Sequence, residues 1–422
     1  MRSSFRILVL LLLSLGGFWP SSLRASEHAA LPAAGSSPKL DRVLLREVLR
    51  ASGVADPERR ETFERTFEIL VEDLARRVGT SRSRYRVARR LHDHLHQRVM
   101  RRYESTADGL DSVLGRGEFN CLSASLLYGL LGRALGLEVQ VVEIPRHVYV
   151  RFLIDQRRVE VETTSRTGFD LRPKLLPAPG LSWDPGYGAD ARAGTLTPGV
   201  AEAPVPEGVN LERAVAFLWH NAGRRALEQG DAPGAARSFL EESRLAPEKA
   251  SRSESLGVYL ARAFRMEYEA GRFESAYRIA GIGMEIFPAQ TTAKDRLLAA
   301  ALKRIEASCE ADRTSEAEKI LDEAALAVGN AADSRRLERG ACPLITAAAV
   351  RAGDWLRAER MALRFSAAEP DGVESRRLSR WVSRREQEVL GSLIENACVE
   401  PSDGSFDHPF STFSSALDDS AD

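Results

Sequence analysis

The sequence predicts an α+β domain, with helices packed on a small antiparallel sheet, followed by an all-α solenoid of stacked helix pairs. Two observations carry this prediction. Apolar and polar residues alternate between Leu137 and Thr164, as they do in short strands with one buried face. Beyond residue 209, small residues and turn residues recur at a constant step, which is typical of repeat proteins.

Composition limits the classes of partner. The 422 residues are 44% hydrophobic and 28% charged, which is enough apolar material for more than one core. Lys and Arg total 59 and Asp and Glu total 60, so no global basic field exists to hold nucleic acid or an anionic membrane. No phosphate-binding glycine loop or dinucleotide fingerprint is present. The sequence therefore predicts no cofactor and no nucleic-acid partner.

The first residues have the pattern of an export signal. A basic start is followed by an apolar run from Ile7 to Phe18 and by a small residue at Ala25. This order predicts a secretory signal peptide over residues 1–25, and a flexible leader over 26–38. The apolar run is shorter than the ~20 residues that cross a bilayer, although an uncleaved anchor is the alternative. We expect a periplasmic or secreted protein without a stable membrane span after cleavage.

The α+β domain is predicted over residues 39–172. Its first part, to Arg102, has apolar residues at helical spacing. The later alternation predicts three strands, with a hairpin around Asp155-Gln156. The strands are predicted at Leu137–Ile144, His147–Ile154 and Arg158–Thr164.

Two segments show no sustained period. Residues 173–208 are rich in Pro, Gly and Ala, which predicts a linker or an irregular flap. Residues 399–422 are rich in Ser and Asp, which predicts a disordered tail.

Residues 209–398 contain four repeats. Alanines lie one repeat apart, since 276−235 = 317−276 = 358−317 = 41. The alanines are Ala235, Ala276, Ala317 and Ala358. Two further sets of residues recur at the same step: Gly230, Gly271, Asp312 and Gly353, and Pro247, Pro288, Gly329 and Pro370. Each unit is predicted as a helix, a turn and a second helix, and a helix from Glu374 to about Asn396 caps the array.

The first unit, from Trp219 to Pro247, resembles a tetratricopeptide repeat. The resemblance implies a concave groove that binds a protein or peptide, although such an array can also serve as a scaffold alone.

A cysteine stands where a helix begins. Asn120 suits the N-cap of an apolar helix that stops at Gly136, which puts Cys121 in the first turn. The helix dipole at that position favours a thiolate, the reactive form of cysteine. Cys121 is therefore a candidate nucleophile.

A nucleophilic cysteine needs a base and a group that orients the base. His147 begins the second predicted strand and Glu162 lies near the end of the third. A two-residue loop at Asp155-Gln156 would place Glu162 opposite Tyr149, on the face that holds His147. The same register pairs Glu160 with Arg151 as an ordinary salt bridge, whereas a three-residue loop would turn Glu162 to the other face.

Three sequence blocks resemble those of the transglutaminase-like superfamily, with its SirB-type branch as the nearest match. They are Asn120-Cys121-Leu-Ser-Ala-Ser-Leu-Leu, Pro145-Arg-His147-Val-Tyr-Val-Arg151 and Val159-Glu-Val-Glu162-Thr-Thr. The resemblance covers roughly residues 39–169. The chain departs from the family in having Glu162 where Asp is usual, and Tyr149 where Trp is usual.

The resemblance implies a papain-like domain and acyl transfer through a thioester. In that scheme Cys121 attacks an amide carbonyl, His147 transfers the proton and Glu162 orients His147. Water as the acceptor gives a peptidase or amidase, and an amine gives a transamidase. The alternative is a non-catalytic exported adaptor whose transglutaminase-like domain is structural, with Cys121 as a small buried residue.

Two further sets of residues have the spacing or chemistry of a disulfide or a metal site. Cys309 and Cys342 are expected either to form a disulfide or to remain buried thiols. His92 and His96 are spaced to face one side of a helix, as metal ligands are. Because arginines flank them and no third ligand is evident, we predict a solvated helix surface rather than a metal site.

Overall fold

The computed structural model describes residues 38–79, 81, 83–144, 147–171, 206–251, 253–370 and 372–398. These residues are mostly helical and include a small antiparallel sheet, as the sequence predicts at this coarse level. Contacts divide the chain into two compact units, one ending at Tyr259 and one beginning at Leu260. The division falls inside the predicted repeat array.

The helices of the first unit begin before the cysteine segment and continue into the first repeat. They are α1 Arg42–Ala51, α2 Pro57–Val78, α3 Arg84–His94, α4 Leu110–Arg116, α5 Cys121–Ala134, α6 Leu211–Glu228, α7 Ala232–Leu245 and α8 Pro247–Ser251, with a π-helical turn at Leu95–Val99. Helix α9, Glu254–Glu269, contains the division between the units.

The main sheet has five strands in the order β6-β5-β4-β3-β7, and all its neighbours are antiparallel. The strands are β3 Glu138–Ile144, β4 His147–Ile154, β5 Arg157–Val161, β6 Phe169–Leu171 and β7 Gly208–Val209, and a separate parallel pair is formed by β1 Arg102–Tyr103 and β2 Glu118–Phe119. The three predicted strands are present, but the third ends at Val161 rather than at Thr164. The short strands β1, β2, β6 and β7 were not predicted.

The hairpin between β4 and β5 has the predicted two-residue loop. Asp155 and Gln156 both have positive φ, at 49° and 62°, as a type I′ turn requires. Arg151 pairs with Glu160 in the ladder, which is the predicted register. This register carries Glu162, just beyond β5, to the face that holds His147.

Helix α5 lies in the centre of the first core. Leu126, Leu127 and Leu131 of this helix are buried in a cluster that also contains residues of α1, α2, α3 and the strands. Helix α6 completes the cluster with Leu211, Ala214, Val215 and Leu218. The first helix of the repeat region is therefore part of the core that carries the cysteine helix.

Polar contacts join the same helices to the rest of the first unit. Trp219 on α6 donates from Nε1 to Glu47 on α1 at 3.1 Å, and Arg225 pairs with Asp108. Lys249 on α8 pairs with Glu143 on β3 at 2.6 Å.

The second unit consists of helix pairs. Its helices are α10 Phe273–Ile286, α11 Thr291–Glu310, α12 Thr314–Val328, α13 Ala331–Arg351, α14 Trp355–Ala368 and α15 Val373–Cys398. The last of these covers the helix predicted from Glu374 to about Asn396. Arg360 pairs with Glu318, and Arg364 with Asp322, so ion pairs link the second helices of two neighbouring helix pairs, α14 and α12.

The predicted repeat positions have equivalent roles. Gly230, Gly271, Asp312 and Gly353 all have positive φ, between 55° and 82°, in the turn between two helices. Ala235, Ala276, Ala317 and Ala358 are all fully buried in the second helix of each pair. The period read from the sequence is therefore a structural period.

Several predictions concern residues outside the described ranges. These are the signal peptide over 1–25, nearly all of the leader over 26–38, the tail over 399–422, and most of the linker over 173–208. The last residue of that linker, Gly208, lies in β7. Every helix among the described residues is too short or too polar to cross a bilayer.

Candidate active site

Cys121 is the first residue of α5, and a capping box holds the start of that helix. The Asn120 side chain accepts from the backbone N–H groups of Leu122 and Ser123, at 2.9 and 3.1 Å. Ser123 returns the contact, since its hydroxyl oxygen accepts from the backbone N–H of Asn120 at 3.0 Å. Asn120 also donates to the carbonyl of Ser105 at 3.0 Å. Cys121 as a whole residue is partly exposed.

The structure brings the three predicted residues together. His147 is hydrogen-bonded to the side chain of Cys121. Its Nε2 donates to Oε2 of Glu162 at 2.7 Å, which leaves Nδ1 as the ring nitrogen for the thiol. Only 8% of His147 and 1% of Glu162 is exposed, so this pair is shielded from water. Sulfur, imidazole and carboxylate form one chain of contacts.

Burial alone would lower the pKa of His147. The hydrogen bonds to Cys121 and Glu162, and the charges of both groups, outweigh that effect and raise its pKa from 6.5 to about 9. The imidazole is therefore protonated at neutral pH. A cationic ring beside a cysteine stabilises a thiolate through charge.

Glu162 is held by its own loop, here named the acid loop and defined as residues 162–168. Oε1 accepts from the backbone N–H and the hydroxyl of Thr164, at 3.0 and 2.6 Å. The backbone N–H of Glu162 donates to the carbonyl of Gly168 at 2.8 Å, which closes the loop. A Cβ at Gly168 would lie 2.2 Å from the carbonyl oxygen of Glu162, so this approach requires glycine.

A hydrogen bond also ties the cysteine helix to the acid loop. The hydroxyls of Ser125 and Thr163 are 3.1 Å apart and both residues are fully buried. Ser125 lies one turn after Cys121, on the same side of α5. Sequence reasoning missed this contact, although the i, i+4 spacing from the cysteine was a usable signal.

Arg151 and Glu160 form the predicted salt bridge on the same strands. The guanidinium Nε lies 2.7 Å from Oε1 of Glu160, and both side chains are buried. Arg151 also donates to the carbonyl of Pro206 at 3.0 Å. Nearby, burial raises the pKa of Tyr149 to about 12, so this phenol stays neutral. We assign Arg151, Glu160 and Tyr149 to the support of the sheet, because their hydrogen bonds and charges act among the strands.

The prediction of a solvated surface at the histidine cluster is wrong. His92, His94 and His96 are all buried. The neighbouring arginines do not mark a free surface, because Arg90 donates to the last carbonyls of α2 and Arg89 lies over the ring of Phe169. Within the described ranges, no group of three or more His, Cys, Asp or Glu residues is placed to hold a metal ion.

Cys309 and Cys342 are free thiols, both buried in the second unit. Burial raises the pKa of the first to about 11 and that of the second to about 12. Both are therefore protonated at neutral pH.

Comparison with known proteins adds no further constraint. No protein-family model, no curated protein and no solved structure matches the chain.

Proposed function

We propose that this chain is an exported cysteine acyl-transfer enzyme of the transglutaminase-like type, periplasmic or secreted, whose tetratricopeptide-like repeats bind a protein or peptide. One observation carries the proposal. Cys121, at a helix start, contacts a histidine that is buried against a carboxylate and has a pKa of about 9. This is the arrangement that nucleophilic cysteine catalysis needs.

The reaction proceeds in two steps. The Cys121 thiolate attacks an amide carbonyl, and the backbone N–H of Cys121, in the first turn of α5, stabilises the oxyanion. His147 then protonates the departing amine, which leaves a thioester on the sulfur. In the second step neutral His147 accepts a proton from water or from an amine as it attacks the thioester carbonyl. The C–S bond breaks, the acid or new amide departs, and the Cys121 thiolate and the protonated His147 are restored. Glu162 holds the ring in place throughout.

A reaction with iodoacetamide tests the proposal without knowledge of the substrate. We expect Cys121 to be alkylated at pH 6, where an ordinary thiol is almost entirely protonated. Cys309 and Cys342 serve as internal controls in the same molecule, because both are buried and protonated. Peptide mass spectrometry measures the rate at each cysteine, in a Cys398→Ser background.

His147→Ala should lower the rate at Cys121 at pH 6 by about tenfold or more, because the cationic partner is lost. Intact mass should also detect an acyl-enzyme after incubation with p-nitrophenyl acetate, absent in Cys121→Ala. Slow labelling of Cys121 that is indifferent to His147 would contradict the proposal. It would favour the second candidate, a non-catalytic exported adaptor.

A further inference from the structure

His92 occupies a fully buried position between the cysteine helix and the acid loop. On one side its Nδ1 lies 3.0 Å from the hydroxyl of Tyr128, two turns after Cys121 in α5. On the other side its Nε2 lies 3.0 Å from the carbonyl oxygen of Arg166. The acyl-transfer scheme does not use this residue.

The partners of His92 fix the direction of both hydrogen bonds. A carbonyl oxygen only accepts, so Nε2 carries a hydrogen and donates to Arg166. Burial lowers the pKa of His92, which favours the neutral ring with a lone pair on Nδ1. Burial also raises the pKa of Tyr128 well above 10, so its hydroxyl keeps the hydrogen that it donates to Nδ1. In the bridge from Tyr128 through His92 to the Arg166 carbonyl, each polar atom therefore acts either as a donor or as an acceptor.

Arg166 and Glu162 lie in the same short loop, so the placement of one constrains the placement of the other. The main chain of the acid loop closes on itself, since the N–H of Glu162 donates to Gly168 and that of Gly168 donates to Ser165 at 3.0 Å. The bond between Ser125 and Thr163 holds one end of this loop to α5. The bridge through His92 holds Arg166, three residues farther along the loop, to the same helix.

We propose that His92 is a positioning residue for the Cys121–His147–Glu162 site: bridging Tyr128 and the Arg166 carbonyl, it sets the acid loop where Glu162 meets His147. Its role in catalysis rests on the proposed function, but its effect on the geometry does not. Cys121, Ser125 and Tyr128 lie on one side of α5, at i, i+4 and i+7. Helix α5 thus presents the nucleophile and both attachments of the acid loop together.

Three variants and one control test the role in the full-length chain. His92→Leu removes both hydrogen bonds, whereas His92→Gln retains an amide donor that can reach the Arg166 carbonyl. Tyr128→Phe removes a single hydroxyl and keeps the variant set informative if His92→Leu does not fold. The control is His94→Leu, since His94 is also buried in α3 but faces Asp73 at 3.5 Å. The readouts are the NMR titration of the His147 ring and the pH profile of Cys121 alkylation.

In His92→Leu we expect the pKa of His147 to fall by about one unit and alkylation at pH 6 to fall about tenfold, because Glu162 moves from the ring. His92→Gln and Tyr128→Phe should show smaller changes, and His94→Leu none. If the His147 titration is the same in all His92 and Tyr128 variants and wild type, and only thermal stability falls, this proposal is overturned. A wild-type protein whose Cys121 is inert would instead overturn the proposed function.

Discussion

His147 depends on its partners for its charge. Its pKa of about 9 reflects Cys121 and Glu162 acting against burial. Because the folded state binds this proton more tightly than the unfolded state does, the contribution to stability is complete below about pH 6.5. It is lost as pH rises through about 9. This pH window is therefore where the His147 proton contributes to stability.

Replacing Glu162 with Gln should flatten this pH dependence. We expect the contribution of His147 to the unfolding free energy of the wild type to fall between pH 6.5 and 9. The fall should be roughly 1.4 kcal/mol for each unit by which the folded state raises the pKa of His147. In Glu162→Gln the slope should be much smaller, measured by urea denaturation at several pH values. Glu64→Gln removes a different buried carboxylate, paired with Arg46, and should leave the slope intact. Equal slopes in wild type and Glu162→Gln would refute the assignment.

Gly168→Ala should impair the site although it adds a single methyl group. The new Cβ would lie 2.2 Å from the carbonyl oxygen of Glu162, so the acid loop must move. We expect at least tenfold slower alkylation of Cys121 at pH 6 and a loss of roughly 1–3 kcal/mol of stability. Gly281→Ala is the control, since nothing lies within 4 Å of its Cβ position inside α10. Gly281→Ala should be neutral or stabilised by up to about 1 kcal/mol. If Gly168→Ala changes neither the alkylation rate nor the stability, the close approach of residue 168 to the Glu162 carbonyl is contradicted.

At the residue scale, local patterns were sufficient for part of the site. Asn120 predicted where α5 begins, because N-caps are recognised from a few neighbouring residues. The position of Glu162 followed from the two-residue loop at Asp155-Gln156. The burial of His92 could not be predicted in this way, since its partner Arg166 is 74 residues away. Long-range hydrogen bonds to main-chain carbonyls leave no signal in one sequence.

At the scale of the elements, the repeat period was predictable because each helix pair needs the same turn and the same small contact residue. Strands β6 and β7 were not predictable, since they have three and two residues and show no alternation. Their pairing is imposed by β5 and β3, which offer free edges to nearby chain.

The turns between paired helices allow a test of the repeats. Asp312 adopts φ of 55°, where its three counterparts are glycines. Because a side chain is strained in this conformation, we expect Asp312→Gly to raise the unfolding free energy of the chain by about 1 kcal/mol. Gly271→Asp, at φ of 73°, is the matched reverse change and should lower it by a similar amount. Denaturant titration measures both, and a destabilised Asp312→Gly would contradict the equivalence of the turns.

At the scale of the whole molecule, the site depends on chain far beyond the predicted domain end at residue 172. Leu211, Val215 and Leu218 of α6 are buried in the same core as α5. At roughly 2 kcal/mol for each such side chain, their removal would cost about 6 kcal/mol. This is comparable to the whole stability of many domains.

Two fragments test this dependence. A fragment of residues 39–269 should fold cooperatively and retain the raised pKa of His147, because the described contacts of the site lie within the first unit. A fragment of residues 39–171 should lack a cooperative transition. Circular dichroism melting and the NMR titration of His147 provide the measurements. A stable 39–171 fragment with a native His147 titration would show that α6 is dispensable.

The sharing of α6 between the core and the first helix pair has a consequence for protein engineering. Chimeras that exchange ligand-recognition modules are commonly spliced at proline- and glycine-rich stretches. In this chain such a splice near residue 205 would separate Leu211 from the leucines of α5 that it packs against. A graft that is to preserve the Cys121–His147–Glu162 arrangement must keep native sequence to the end of α9 at residue 269, because Tyr259 of that helix stacks on Phe239.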